Sequence, residues 1–353
     1  MTCPHQWLID SCITAPVYES FIVPNPLAYT NAKGDLTMNI LLQVVLLTVG
    51  FVMLIKGADW FVDGASAIAN RLGIPALIVG LTIVAMGTSA PEAAISISAA
   101  LKGSADIAVG NVLGSNILNI LVILGLTALI CPLAVQRSTR RYELPFVIVI
   151  TSIMALLGLP DGTLNATDGI VLIALFIGYL AYLFYMAKNG SENNAEEESS
   201  EEVVNMPMYR IVLSMVIGMG LIIWGSNITV DAATAIAKIF GMSERFIGLT
   251  VVAFGTSLPE MVTSITAAIK GKADIAVGNI VGSNIFNILF VLSISSIITP
   301  VAYDSTFLVD SILSVGATAL LWFFTMNKKR RVERHAGFLM PLCYAGYFVY
   351  LIG

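Results

Sequence analysis

Charge is scarce in this chain of 353 residues: 12% of them are Asp, Glu, Lys or Arg, while 57% are hydrophobic. No soluble domain of this length needs so much apolar surface, and a mean hydropathy of +0.87 places the chain among polytopic helical membrane proteins. Histidine is nearly absent (His5 and His335), and the four cysteines (Cys3, Cys12, Cys131 and Cys343) are scattered with no CxxC spacing. That speaks against a soft-metal centre and a disulfide framework. Cys131 and Cys343 are expected to pack as small apolar groups. The net charge of −5 lies in loops and carries no signal for nucleic acid. The expected surroundings are a lipid bilayer, and no cofactor is expected.

A bilayer about 30 Å thick asks for helices of about 20 apolar residues. Ten such stretches are predicted, near residues 39–56, 74–100, 108–130, 143–159, 168–187, 208–229, 245–269, 276–298, 306–326 and 337–352. Residues 1–37 are polar, contain proline and lack the basic start and apolar core of a signal peptide; they read as a tail. Residues 188–206 carry an acidic run that includes Glu196, Glu197 and Glu198. This segment is too short to fold as a calcium sensor and reads as a solvated linker. The organisation expected is therefore a tail (1–37), a first five-helix half (38–187), a linker (188–206) and a second five-helix half (207–353). With the amino terminus outside, fourteen of the eighteen Lys and Arg residues fall on the cytoplasmic side, leaving Lys33, Lys102, Lys238 and Arg245 outside. Lys and Arg favour the cytoplasmic face, so this is the expected orientation, with the linker cytoplasmic. Five spans is an odd number, so the second half runs upside down relative to the first. The expected fold is all-α: ten transmembrane helices as two inverted five-helix repeats.

The repeat is visible in the residues themselves. Gly-Thr-Ser-Ala-Pro-Glu at 87–92 returns as Gly-Thr-Ser-Leu-Pro-Glu at 255–260, and Gly-Ser-Asn-Ile-Leu-Asn at 114–119 returns as Gly-Ser-Asn-Ile-Phe-Asn at 282–287, all offset by 168 residues. Aligning 85–124 with 253–292 gives 27 identities in 40 positions, and the polar residues of the two motifs are retained while apolar neighbours drift. A carboxylate inside an apolar span is costly and marks function by default. Thr88 and Glu92 are four apart and share a helix face. Pro91 and Pro259 interrupt the backbone ladder, freeing carbonyls near Ala85–Gly87 and Ala253–Gly255 to face a cation. Ser115 with Asn119, and Ser283 with Asn287, repeat the four-residue spacing on the following helix. Gly110 and Gly114, like Gly278 and Gly282, form a small-residue face for close approach. The convergent groups are carboxylates, hydroxyls, amide oxygens and carbonyls, hard donors that suit calcium and sodium without excluding other hard cations. Asp106 and Asp274 are expected as helix N-caps. Asn111, Asn116, Asn279 and Asn284 are expected to make helix-packing hydrogen bonds, while Asp63 and Asp231 are left without an assigned role.

These motifs resemble the paired α-repeats of the cation/calcium exchanger superfamily, and the nearest likeness is to prokaryotic sodium/calcium exchangers. The resemblance covers the chain from Met38 onward. It implies a monomeric ten-helix core that moves Ca2+ and Na+ by alternating access. It further implies ion ligands at Thr88, Ser89, Glu92, Ser115, Asn119 and the Ala85 carbonyl. From the second half it implies Thr256, Ser257, Glu260, Ser283, Asn287 and the Ala253 carbonyl. Potassium-dependent relatives place aspartate where this chain has Asn287, and the proton-coupled branch has a different first motif. The expectation is a sodium/calcium antiporter of the cell membrane that exports Ca2+. Proton/calcium or potassium-dependent exchange is the alternative; a passive channel or an intramembrane enzyme fits the duplicated motif less well.

Overall fold

The computed structural model describes residues 33–103, 106–190, 207–242 and 253–352. The expectations for the tail as far as residue 32, for the linker from 191 to 206 and for the start of the seventh span fall outside these residues. The described chain is almost wholly helical. In order it contains α1 (Lys33–Leu72), α2 (Ala76–Thr88) and α3 (Ala90–Leu101), then α4 (Ile107–Ile130), α5 (Thr139–Gly158), α6 (Ala166–Lys188) and α7 (Met208–Ile239). It continues with α8 (Ala253–Thr256), α9 (Leu258–Ile269), α10 (Ala273–Ile298) and α11 (Thr306–Thr325), and α12 (Arg334–Ile352).

Seven of these helices (α1, α4, α5, α6, α7, α10 and α11) are long and apolar enough to cross a bilayer. The pair α2–α3, bent by 50°, makes an eighth if taken as one span. Large apolar side chains stand open on the outer helices, among them Phe184 (75% exposed), Val349 (70%) and Trp224 (69%). Such side chains would fail in water and are suited to lipid. At the other extreme, 94% of the apolar window of α10 and 78% of that of α4 are enclosed, against 17% for α1. The two helices that carry the Gly-Ser-Asn motifs are thus the centre of the molecule.

One helix is longer than the sequence suggested. The first span was expected to end at residue 56, where Lys56, Asp59 and Asp63 interrupt the apolar run. Gly57, beside Lys56, does not stop the backbone, however, and α1 continues to Leu72, just before Gly73, which has a φ of 64°. Its polar end is held by ion pairs instead, as described below.

Helix α1 packs along α7, and glycine makes the approach close. A Cβ placed on Gly57 would stand 2.7 Å from the Gly218 carbonyl oxygen, and one on Gly225 would stand 2.8 Å from the Gly50 carbonyl oxygen. The expected glycine face of α10 is also realised: a Cβ on Gly282 would lie 2.6 Å from the Leu81 carbonyl oxygen of α2. The matching neighbours of Gly110 and Gly114 fall at 243–252, outside the described residues. On the edge, α12 contains Pro341 and lies against α4, where a Cβ on Gly337 would stand 2.6 Å from the Leu129 amide nitrogen.

Four short strands tie the loops. Leu133–Ala134 (β1) pairs antiparallel with Arg331–Val332 (β4), and Thr163–Leu164 (β2) with Val301–Ala302 (β3). Each pair joins a loop of the first half to a loop of the second. The close glycine contacts yield a test. Gly218→Val forces a side chain into the α1 backbone and should cost about 1–3 kcal/mol. Gly178→Ala, with no described residue within 4 Å of the added carbon, should change stability by less than about 0.5 kcal/mol. Unfolding temperatures of the two variants in detergent compare them directly.

Candidate ion-binding site

The break in the motif helix is sharp and falls in the same place in both halves. Ser89, with φ −83° and ψ 5°, separates α2 from α3, and Pro91 lies in the first turn of α3. Ser257, with φ −94° and ψ 8°, precedes α9, whose first turn contains Pro259. Proline is welcome in a first turn, where its missing N–H would have had no partner. The consequence is placement: Glu92 and Glu260 each sit in the first turn of a helix, where the positive end of the backbone dipole favours a carboxylate.

The two halves hold each other's glutamate. The Ser89 hydroxyl donates to Glu260 Oε1 at 2.8 Å, and the Ser257 hydroxyl donates to Glu92 Oε1 at 3.3 Å. Asparagines from α4 and α10 close the other side. The Asn116 amide donates to the Asn284 carbonyl at 3.2 Å, and the Asn284 amide returns to the Asn116 carbonyl at 3.1 Å. The Asn119 amide donates to Asn284 Oδ1 at 3.0 Å. The Asn287 amide donates to Asn116 Oδ1 at 3.2 Å and to the Ser115 hydroxyl at 3.3 Å. These partners fix which end of each amide is oxygen. The oxygens of Asn119 and Asn287 are thereby turned away from the protein's donors.

Several buried oxygens of the described residues are left without a hydrogen-bond partner, and four of them belong to the repeated motifs: Glu92 Oε2, Glu260 Oε2, Asn119 Oδ1 and Asn287 Oδ1. Their residues are at most 1% exposed. They form two matched pairs at the 168-residue offset. Polar oxygens buried without donors are expensive, and carboxylates more so. Oxygens of this kind, carboxylate and amide, are the donors that hard cations take. Among the described residues no three His, Cys, Asp or Glu side chains gather as a metal site. The formal charge therefore comes from two carboxylates and the rest of the set is neutral.

The other expected residues are close by in differing roles. Ser283 donates to the Ala85 carbonyl at 3.4 Å. Thr88 is fully buried and donates to Asn279 Oδ1 at 2.9 Å. Thr256 is half-buried, and Ala253 opens α8. The Ala85 carbonyl, expected to be free, also accepts the Ser89 amide at 3.0 Å. The carbonyl that proline frees lies four residues before it. For Pro259 this is Gly255, whose oxygen is taken by the Ser226 hydroxyl at 2.9 Å. Asp274 is not an N-cap: Lys272 holds that position, and Asp274 accepts from the Gln136 amide at 2.6 Å.

Several residues escaped the reading of the sequence. Ser96 and Ser264 accept from Asn111 and Asn279 at 3.0 and 2.9 Å, and these asparagines donate to the Glu92 and Glu260 carbonyls, both at 3.3 Å. The signal was available, since each serine and asparagine is duplicated at the same offset. Thr263, one turn beyond Glu260, has a buried hydroxyl without a partner and no counterpart in the first half, where Ile95 stands. Wide π turns begin at Asn119 and Asn287 themselves. A buried carboxylate outside the motifs, Glu143, accepts from the Tyr182 hydroxyl at 2.6 Å.

Comparison with known proteins follows the same two-part division. A sequence profile described as "Sodium/calcium exchanger protein" matches residues 42–185 and again 210–353. The chain is 41% identical over 312 residues to the putative antiporter CaxA of Alkalimonas amylolytica, covering 87% of this chain and 98% of that one. It is 29% identical over 348 residues to the sodium/calcium exchanger MaX1 of Methanosarcina acetivorans, covering 88% and 99%. Among solved structures, the sodium-calcium exchanger NCX_Mj superposes with a TM-score of 0.75 at 30% identity, covering 88% of this chain and 99% of that one. The chain is a membrane protein that belongs to the sodium/calcium exchanger family.

Proposed function

We propose that this protein is a sodium/calcium antiporter that exports Ca2+ against entering Na+, by alternating access to one site between its two halves. The observation that carries the reading is the set of four unpartnered buried oxygens, two from each half, on Glu92, Glu260, Asn119 and Asn287. Ca2+ takes six to eight oxygens, and the hydroxyls of Thr88, Ser89, Ser115, Thr256, Ser257 and Ser283 with the Ala253 carbonyl supply the remainder, joined by the Ala85 carbonyl when the Ser283 hydroxyl turns from it to the ion. Na+ uses the same donors. Competition for two carboxylates makes occupancy by Ca2+ and by Na+ mutually exclusive, and exchange follows if the empty site crosses slowly. Both glutamates come from one chain, so a monomer is a sufficient functional unit, and no catalytic group or cofactor is needed.

Ten spans in two inverted halves account for the loop contacts. Counting from an outside amino terminus, the loops bearing β1 and β4 both fall inside, as do Gln136 and Asp274. The loops bearing β2 and β3 both fall outside, as do Ala100 and Thr299, whose hydroxyl donates to the Ala100 carbonyl at 3.0 Å. Contacts between loops assigned to one face support both the count and the halves at 38–187 and 207–353. The same count with the excess of inside Lys and Arg supports a cytoplasmic linker. Asn287 leaves the site at minus two when both glutamates are ionised, which one Ca2+ neutralises. This favours sodium coupling over the potassium-dependent alternative.

Glu92→Gln and Glu260→Gln should each reduce calcium uptake to background in sodium-loaded proteoliposomes diluted into sodium-free buffer; near-normal flux in either variant would reject the site. In wild-type vesicles the uptake should vanish when sodium is equal on both sides. Uptake driven instead by a pH gradient alone would favour proton coupling. Ser89→Ala and Ser257→Ala, which remove equivalent bonds to the glutamates, should each weaken calcium binding by about tenfold, or roughly 1.4 kcal/mol. Radiolabelled calcium binding measures this, and a neutral effect at one serine alone would contradict the two-fold arrangement.

A further inference from the structure

Lys270 ends α9, the helix whose first turn carries Glu260. An ammonium group has three donors, and three acceptors meet it, all on α1. Asp63 Oδ1 lies at 2.8 Å, Asp59 Oδ1 at 3.2 Å and the Asp59 carbonyl oxygen at 3.2 Å. A cation at a helix C-terminus is favourable in its own right, and Gly271, with a φ of 72°, turns the chain away immediately after. The grip joins two parts of the molecule that differ in kind. On one side is the exposed helix α1 with its glycine-lined partner α7; on the other is the helix that positions a site carboxylate. The elements repeat in sequence: Lys102, Gly103 and Asp231 stand 168 residues from Lys270, Gly271 and Asp63. Lys102 likewise ends α3, the helix of Glu92. Asp63, which had no role in the motif chemistry, acquires a partner here.

We propose that Lys270 is a positioning residue for exchange: by gripping Asp59 and Asp63 it holds α9 against α1 and keeps the site shut toward the face where Lys270 lies. Lys102 with Asp231 is the corresponding grip for the opposite face when access is reversed. This rests on the alternating-access reading above, which puts Lys270 at the cytoplasmic face and Lys102 outside. Exposed ion pairs contribute little to overall stability; Asp63 is 66% exposed and the Lys270 side chain 27%. Breaking the grip is therefore expected to shift the balance between open and shut rather than unfold the protein.

Hydrogen–deuterium exchange on the full chain in lipid nanodiscs reads opening without any transport. In Lys270→Gln and in the double variant Asp59→Asn with Asp63→Asn, amides of 258–269 should exchange at least threefold faster than in wild type. Lys270→Arg should restore wild-type rates, and α12 should be unchanged in all. Sided calcium flux supplies the second readout. In Lys270→Gln the apparent calcium affinity should rise about threefold from the cytoplasmic face and fall by a similar factor from outside, as a population shift requires. Wild-type exchange in Lys270→Gln, or faster exchange throughout the chain, would overturn the proposal, as would equal affinity changes on both faces. If wild type carries no calcium yet the exchange pattern appears, the grip stands and the transport reading fails; sodium-coupled flux with unaltered exchange gives the reverse.

Discussion

An oxygen buried in a bilayer has few sources of satisfaction. Water is absent, so the donor must come from the protein or from a bound ion. In this molecule the protein meets almost every such demand near the site. Serines donate across to glutamates, asparagines donate to carbonyls and to each other, and Ser226 covers the carbonyl that Pro259 releases. The economy makes the exceptions informative. Where so many polar groups are paired, four bare oxygens matched across the repeat stand out, and the proposed ion site is built on them. The enclosure of α4 and α10 keeps all four residues buried, at most 1% exposed.

Neither half can do this alone. Glu92 is held by Ser257 and Glu260 by Ser89, so each carboxylate depends on the other half for its orientation. The glycines of α10 admit the backbone of α2, which brings the second half's asparagines up to the first half's broken helix. Packing and chemistry are therefore one arrangement: a side chain added at Gly282 would separate the helices and pull apart the donors that aim the amides.

Much of the candidate site was legible in the sequence because duplication amplifies it. A lone Pro-Glu in an apolar span has several structural explanations; the same six residues returning at a fixed offset leave few. That pattern gave Glu92, Glu260 and the Ser–Asn pairs by number. What it could not give was pairing across the fold. Ser89 meets Glu260 and Thr88 meets Asn279 over separations that no local spacing encodes. Local reasoning also misjudged backbone ends. It left the Ala85 carbonyl bare, though Ser89 and Ser283 fill it, and ended the first span at Lys56, although charged residues near a helix end pair readily enough to let it continue. The π turns at Asn119 and Asn287 have no signature in composition. Ser96 and Ser264 were readable from the repeat but were hidden among small residues of apolar helices.

The reciprocal bond between Asn116 and Asn284 has a consequence for symmetry. A residue that bonds its own repeat image lies on the axis relating the halves, and a contact of that kind is isologous. A substitution at either asparagine therefore removes a bond shared by both copies of the motif. Away from that axis the two copies are free to differ, as at Ile95 and Thr263, where one copy alone carries a hydroxyl.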